Sequence, residues 1–383
     1  MSIITTNREK MLAYLRDIYT SCGYAQYRMR KFEEYDLYVR NKSFLTSDHM
    51  ITFTDREGRL LALKPDVTLS IVKNTRENAG VEKVYYHESV YREEKGSNSF
   101  NEITQIGLEC IGEVDDYAVL EVLSLAQESL AIVSAVDVIS SVDKGMTPTY
   151  SDYVLDVSHL GILSDLLSGA ALPDDARAAL ITCIGEKNAH GILSLCRERG
   201  VDEERTAALC RLCTLYGAAD EVLPTLDAMP LGATGKEALA TLSRILGAME
   251  KDVRSHVRVD FSVVNDMNYY SGIVFRGFVS GVPAGVLSGG QYDHLLERMG
   301  KRGGAIGFAV YPDLLYGGED TRPAYDVDAL VLYDDKTDLA ALAAAVKGLN
   351  TKGKRVLAAR ALPEKKTWQE CYRISEGGEL VHA

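Results

Sequence analysis

The hydrophobic positions of the N-terminal part alternate between helical and strand-like spacing. From Arg8 to Gly23 the apolar residues recur at helical spacing, which predicts an amphipathic helix that ends at Gly23. The stretch ITFTDREGRLLALKPDVT then predicts two strands that turn at Glu57–Gly58. Two longer segments of period two follow, VEKVYYHESVYREE and FNEITQIGLECIG, and the polar KGSNS between them predicts a long antiparallel pair. The helical period returns in DYAVLEVLSLAQESLAIV.

The composition changes in the middle of the chain. From about Leu160 to Asp252 leucine, alanine and charged residues dominate and short turn signals interrupt them, which predicts a helical insertion. Strand character returns in HVRVDFSVV, where apolar and polar residues alternate, and continues through GIVFRGFVSG to SGGQYDHLLERMG. The C-terminal residues contain a strand, a helix and a second strand, an order typical of parallel sheets.

These patterns predict the fold class α+β, with an antiparallel sheet core flanked by helices. The expected parts are a core formed by residues 1–159 and 256–320, a helical insertion at 160–255 and a small α/β domain at 325–383.

Composition and charge exclude several classes of protein. The chain has 383 residues, a formal net charge of −13 and an acidic pI near 5.1, so a general attraction to nucleic acid is absent. An apolar leader is missing at the N-terminus, and about 18 uncharged apolar residues never follow one another. The seven cysteines are scattered, and the single C-x-x-C at Cys210 and Cys213 has no second pair. We expect a cytoplasmic protein without membrane, metal or cofactor.

One face of the strand FNEITQIGLECIG combines polar groups with a glycine. Because residues i and i+2 share a face, Gln105, Gly107 and Glu109 point the same way, and the amide and the carboxylate lie about 13 Å apart. Arg92 on the neighbouring strand could balance Glu109 or a bound carboxylate. This face could hold a small polar molecule, or it could be a solvated surface with an ion pair.

The paired tyrosines of NDMNYYSGIVF favour a ligand. If the segment is extended, Tyr269 and Tyr270 lie on opposite faces, and at least one phenol joins Gln105 and Glu109. Such a set would suit an amino acid with a polar ring. The alternative is that both tyrosines pack in the core or in an interface. The stretch GGQYDHLLERMG lacks the Walker lysine and the full G-x-G-x-x-G spacing, which favours a tight strand-to-helix turn.

Four blocks in order resemble the class II catalytic core of histidyl-tRNA synthetases: LALKPDVTLSIVK, VYREE with EITQIGLECIG, NYYSGIVF, and GGQYDHLLERMG with AIGFAV. The resemblance covers about residues 8–315 apart from the helical insertion. It implies a class II synthetase-like core and a pocket suited to L-histidine. The residues that it places around this pocket are Asp66, Thr68, Arg92, Gln105, Glu109, Tyr269 and Tyr270.

The chain departs from the synthetase pattern where that pattern requires arginine. Ser99 and Asn101 occupy the turn of motif 2 that grips ATP, Asn265 replaces the arginine ahead of the tyrosines, and Leu314 replaces the arginine of motif 3. Adenylation depends on positioning and charge neutralisation, so the loss of these guanidinium groups should abolish it. Arg30 stands in place of the motif 1 proline, which leaves the dimer geometry open.

A histidine pocket without these arginines is similar to that of the regulatory subunits of ATP phosphoribosyltransferase, which partner a short catalytic subunit in the first step of histidine biosynthesis. YVLDVSHLGILSDLL and the helical stretch also resemble that family, and residues 325–383 resemble a shortened anticodon-binding domain. The resemblance implies a non-catalytic, histidine-binding homodimer within a hetero-oligomer, and Arg92 is a candidate for binding the histidine carboxylate. The alternatives are a divergent histidyl-tRNA synthetase and a synthetase-like module that acts on another target.

Overall fold

The structure, a computed structural model, describes residues 7–45, 49–76, 80–94, 99–135, 152–170, 172–263, 269–316, 325–375 and 379–383. These residues divide into two compact units. The larger unit is Tyr14–Leu315, and the smaller unit joins the N-terminal residues up to Ala13 with Tyr316–Ala383.

The helices include one long segment of consecutive short helices in the middle of the chain. They are α1 (Asn7–Ser21), α2 (Tyr35–Arg40), α3 (Thr68–Asn74), α4 (Asp116–Ser134), α5 (Leu160–Ser168), α6 (Asp174–Gly185), α7 (Ala189–Glu198), α8 (Glu203–Thr214), α9 (Ala219–Asp227), α10 (Ala233–Ala248), α11 (Lys251–Arg254), α12 (Asp293–Arg298), α13 (Asp313–Tyr316) and α14 (Leu339–Thr351). Short 3-10 turns occur at Lys42–Phe44 and Phe261–Val263.

The strands belong to three sheets. They are β1 (Ala25–Gln26), β2 (Phe32–Glu34), β3 (Thr52–Thr54), β4 (Leu60–Leu63), β5 (Val81–Glu93), β6 (Phe100–Gly112), β7 (Tyr153–His159), β8 (Tyr216–Gly217), β9 (Val257–Asp260), β10 (Ile273–Val279), β11 (Leu287–Gln291), β12 (Gly304–Val310), β13 (Val327–Leu332), β14 (Val356–Ala359), β15 (Trp368–Ile374) and β16 (Leu380–His382).

A nine-stranded sheet forms the core of the larger unit, in the order β1-β5-β6-β12-β11-β10-β7-β9-β8. The pairs β1–β5 and β7–β9 are parallel, and the other neighbours are antiparallel. The predicted long pair is β5 and β6, whose register runs from Val81 opposite Gly112 to Glu93 opposite Phe100. The predicted hairpin is β3 and β4, and β4 also pairs with β2 in a separate three-stranded sheet. The predicted α+β class, with an antiparallel core flanked by helices, is confirmed.

Helix α4 covers one face of this sheet. It contacts β7, β10 and β12, and the side chain of Leu130 fills the space above Gly277, where a Cβ atom would lie 2.6 Å from Leu130. By length and composition α4 could cross a membrane, but 61% of its apolar window is buried inside the protein. Such burial is typical of the core helix of a globular protein. The opposite face of the sheet forms the floor of a cleft.

Along the chain, the helices α5–α11 come between β7 and β9. These two strands are nevertheless neighbours in the sheet. Strand β9 ends at Asp260, earlier than the alternation in HVRVDFSVV predicted. The Ser262 amide donates to Asp260 Oδ1 at 2.7 Å and turns the backbone into a 3-10 turn, so the prediction of a continuous strand was wrong.

Lys187 joins the helical segment to the edge of the sheet. Its Nζ donates to Asp260 Oδ2 at 2.7 Å and lies 4.8 Å from the centre of the Tyr216 ring. The Lys187 backbone is in the left-handed region, with φ of 54°, which costs energy for a residue with a side chain. The buried carboxylate of Asp260 therefore holds a strained turn against the sheet.

The smaller unit contains a four-stranded sheet in the order β14-β13-β15-β16. Strands β13 and β14 are parallel and α14 lies between them in the chain, as the sequence predicted. Ala329, Val331 and Leu349 form its small core. Strands β15 and β16 extend this sheet, and the hydrophobic pattern of the sequence had not predicted them.

We predict that Lys187→Met destabilises the protein by about 1–3 kcal/mol, because the variant leaves the buried Asp260 carboxylate without its cation. Urea unfolding followed by circular dichroism measures the change. Lys251→Ala, at an exposed position of α11, is the control and should change stability by less than about 0.5 kcal/mol. Equal effects of the two variants would contradict this role of Lys187.

Candidate functional site

A cleft of about 1060 Å³ lies over the uncovered face of the nine-stranded sheet. Strands β6, β12, β11 and β10 form its floor, with Glu109 opposite Gly307, Gly307 opposite Gly290, and Gly290 opposite Val274. The cleft therefore lies where β6 runs beside three consecutive strands from a much later part of the sequence.

All seven residues that the sequence placed around a histidine pocket line this cleft. Thr68 is the first residue of α3 and Asp66 precedes it, Arg92 lies on β5, Gln105 and Glu109 lie on β6, and the two tyrosines precede β10. The residues that line the cleft thus include Asp66, Thr68, Arg92, Gln105, Glu109, Tyr269 and Tyr270. The structure brings them together on one face.

Glu109 is the most deeply placed acidic group of the cleft, with 2% of its surface exposed. The Thr68 hydroxyl donates to Glu109 Oε1 at 2.8 Å, and the Tyr292 hydroxyl donates to Oε2 at 2.6 Å. Burial raises the pKa of Glu109 from 4.5 to about 8, although both hydrogen bonds favour the ionised form. The carboxyl group can therefore donate or accept a proton near neutral pH.

The glycines of the floor make room for side chains that lie flat on the sheet. A Cβ atom at any of three glycines would collide with a group of the cleft. These collisions would be at Gly307 with Glu109 Oε2 at 1.7 Å, at Gly107 with the Tyr86 hydroxyl at 2.6 Å, and at Gly290 with the Tyr270 ring at 2.7 Å. The side chains of Glu109, Tyr86 and Tyr270 can therefore occupy these positions only because the facing residues are glycines.

The paired tyrosines both face the cleft. Tyr269 and Tyr270 precede β10 and are not part of a strand, so the opposite faces that an extended segment would give them do not arise. Their ring centres are 4.7 Å apart with an edge-to-face geometry, and the Tyr269 ring also lies 5.9 Å from Tyr292 and 5.8 Å from Phe44. Both rings also pack against the hydrophobic core, so packing and cleft lining are combined.

Tyr292 belongs to the site but was missed by the sequence analysis, which had interpreted GGQYDHLLERMG only as a turn. The predicted strand-to-helix turn is present, since β11 ends at Gln291 and α12 begins at Asp293. Tyr292 lies between them and is 1% exposed. The available signal was an aromatic residue with a hydroxyl at the end of a glycine-rich strand.

Arg92 pairs with Asp66 rather than with Glu109. Its Nε donates to the Pro65 carbonyl oxygen at 2.8 Å, and its guanidinium lies 3.9 Å from Asp66 Oδ2. Burial raises the pKa of the Asp66 carboxyl. The charge of Arg92 and hydrogen bonds from the backbone amides of Leu69 and Thr68 act in the opposite direction and lower it. Arg92 is thus held by Pro65 and Asp66, the residues just ahead of α3.

The positions where the synthetase pattern requires arginine carry no positive charge in the residues that the structure describes. Asn101 and Leu314 line the cleft, and the Ser99 hydroxyl donates to Glu94 at 3.0 Å. Asn265 lies outside the described residues. Among the described lining residues, the cations are Arg92 and Arg276 alone, and Arg276 was not considered from the sequence.

A sequence model of the family described as histidyl-tRNA synthetase matches residues 4–315. A curated relative named ATP phosphoribosyltransferase regulatory subunit, from Oceanobacillus iheyensis, is 27% identical over 312 residues. The match covers 80% of this chain and 73% of that protein.

Two solved structures have the same fold. One, described as an ATP phosphoribosyltransferase regulatory subunit/histidyl-tRNA synthetase from Bacillus halodurans, has a TM-score of 0.77, 20% identity, and coverage of 96% of this chain and 93% of that chain. The other is the ATP phosphoribosyl transferase (HisG:HisZ) complex from Thermotoga maritima, with a TM-score of 0.58, 18% identity, and coverage of 79% and 96%. The class II synthetase-like architecture is therefore confirmed.

We predict that Gly307→Ala displaces the Glu109 carboxyl group and destabilises the fold by about 1–3 kcal/mol, because the new methyl group would overlap both Glu109 and the Leu108 carbonyl. Thermal unfolding measures the change. The control is Gly247→Ala in α10, where a Cβ atom would meet nothing within 4 Å; it should be neutral or slightly stabilising. Equal destabilisation by both would contradict the close packing at Gly307.

The raised pKa of Glu109 predicts a pH dependence of stability. The native state keeps this proton up to about pH 8, whereas the ordinary carboxyl releases it near pH 4.5, so this contribution to stability is lost as the pH rises through that window. Relative to Glu109→Gln, the wild type should lose up to about 1.4 kcal/mol per pH unit. Urea unfolding of both proteins between pH 5 and 8.5 tests this, and a constant difference would refute it.

Proposed function

The chain belongs to the histidyl-tRNA synthetase family, and on that premise we propose that it is a non-catalytic regulatory subunit of ATP phosphoribosyltransferase that binds L-histidine in the cleft. In this role it acts in the first step of histidine biosynthesis, in the cytoplasm, as a homodimer together with a short-form catalytic subunit. The similarity to the Oceanobacillus iheyensis regulatory subunit and to the Thermotoga maritima HisG:HisZ complex supports the assignment to this assembly.

The observation that carries the histidine proposal is the buried carboxyl of Glu109 among tyrosine rings. An imidazole ring is flat and carries one nitrogen that donates and one that accepts, or two donors when protonated. Glu109 already accepts one hydrogen bond at each oxygen, from Thr68 and Tyr292, so a remaining lone pair of either oxygen or the carboxyl proton is available to an imidazole nitrogen. Tyr269 and Tyr270 offer aromatic surface on which the ring packs.

The same cleft is poorly equipped to activate histidine with ATP. Transfer of an adenylyl group requires cations that neutralise the phosphates. Asn101 and Leu314 are uncharged, and Arg92 is already 3.9 Å from the Asp66 carboxylate. This distribution of charge supports a subunit that holds histidine without forming an adenylate.

Regulation requires that histidine binds one state of the assembly better than another, typically by about 1–3 kcal/mol. We expect this difference in histidine affinity to arise in the complex with the catalytic subunit, since histidine is the end product of the pathway. A divergent histidyl-tRNA synthetase is the alternative, because the matching family is described by that activity. A synthetase-like sensor that acts on another target is a third candidate.

We predict that the purified chain binds histidine in calorimetry and makes a short-form catalytic subunit sensitive to histidine. Glu109→Gln should weaken histidine binding by about tenfold or more, because an amide cannot pass a proton to the imidazole and form the charge-assisted hydrogen bond of a carboxylate with an imidazolium. The matched control is Glu113→Gln, an exposed carboxylate just beyond β6, which should bind histidine like the wild type.

Two results would contradict the proposal. Histidine-dependent exchange of pyrophosphate into ATP would favour the synthetase alternative, since that exchange reports adenylate formation. Histidine binding without any effect on, or association with, the short-form catalytic subunit would favour a sensor that acts on another target.

A further inference from the structure

The cleft is larger than a single histidine requires. Its volume of about 1060 Å³ is just above the range of roughly 300–1000 Å³ that is typical of pockets for drug-sized ligands. The groups proposed to hold the imidazole are gathered around Glu109 on β6. Arg276 lies three strands away and two residues further along β10, so the Cα atoms of Glu109 and Arg276 are about 16 Å apart. We call the end of the cleft around Arg276 the outer part.

Arg276 is not neutralised by a neighbouring carboxylate in the part of the chain that the structure describes. Asp156 on β7 is directly opposite Arg276, yet Arg276 forms no ion pair within 4 Å among the described residues. The positive charges that act on Asp156 are those of Lys187 and Arg258. The Arg276 guanidinium instead lies 5.8 Å from the centre of the Phe278 ring, on the same face of β10, and its side chain is exposed.

The surroundings of Arg276 accommodate this position and add hydroxyl donors. A Cβ atom at Gly285 would lie 2.5 Å from Arg276 Nε, so the glycine leaves room for the arginine side chain in this position. Ser288 is directly opposite Arg276 on β11, and its hydroxyl is hydrogen-bonded to the Tyr311 hydroxyl at 3.0 Å. One guanidinium and two hydroxyl groups thus line the outer part together.

We propose that Arg276, Ser288 and Tyr311 bind one anionic group, a carboxylate or a phosphate monoester, of a second ligand in the outer part of the cleft. A guanidinium recognises both groups through paired hydrogen bonds, and the hydroxyls can supply further donors. The carboxylates of Glu102 and Asp313 also line the cleft, so a triphosphate would meet too little positive charge. The site goes beyond the proposed histidine binding and does not depend on it.

Calorimetric titration of the full chain tests this proposal, with inorganic phosphate, adenosine monophosphate and acetate as probes at constant ionic strength. We expect binding of at least one probe and an affinity lower by about tenfold or more in Arg276→Gln. A response to acetate alone identifies the ligand as a carboxylate, and a response to the phosphates identifies a phosphate ester. Circular dichroism and thermal unfolding verify that the variant remains folded.

The matched control is Arg302→Gln, an exposed arginine outside the cleft, which should bind the probes like the wild type. Equal losses of affinity in the two variants would mean that only net charge matters, and would overturn the proposal. Equal affinities of the wild type and Arg276→Gln, or no binding of any probe, would overturn it as well. Histidine affinity should be unchanged in Arg276→Gln. A chain that binds the anion but not histidine would therefore refute the proposed function alone.

Discussion

The buried carboxyl group of Glu109 is the constraint on which the cleft depends. A carboxyl group with 2% of its surface exposed is stable only if it is neutral or well hydrogen-bonded. Its two hydroxyl donors come from Thr68 at the start of α3 and from Tyr292 between β11 and α12. These segments flank the helical part of the chain in sequence, so one acidic group requires both halves of the core to be in place.

The charges of the cleft favour binding of a small polar ring over phosphoryl chemistry. Burial raises the pKa of Glu109 to about 8, so the carboxyl is mostly neutral at pH 7, and the charge of Asp66 is opposed by Arg92. The remaining groups around Glu109 are mostly tyrosines and an amide. A nearly neutral, aromatic site of this kind suits a small polar ring, whereas phosphoryl chemistry requires a concentration of fixed cations. Under the proposed function, the uncharged residues at the arginine positions of the synthetase pattern separate recognition of histidine from its activation.

The sequence predicted what depends on local periodicity and failed where distant strands decide. The alternation in β5 and β6 correctly placed Gln105 and Glu109 on one face, because side-chain direction in a strand is a local property. Both Tyr269 and Tyr270 reach the cleft because the segment before β10 is not an extended strand, a point that the local pattern left open. The partners of Glu109 and Arg92, and the place of Arg276 in the cleft, depend on strand neighbours that are remote in sequence, and no local pattern reports them.

The order of strands in the large sheet has a consequence for biosynthesis. Glu109 lies on β6, but its glycine partner Gly307 lies on β12, which the ribosome produces only after the whole helical segment has been made. A nascent chain must therefore keep the edge of the β5–β6 ribbon unpaired while α5–α11 emerge and fold. Such long-range pairing is slow and leaves an open strand edge to other chains. Exposure of this strand edge during translation is thus a cost inherent in this topology.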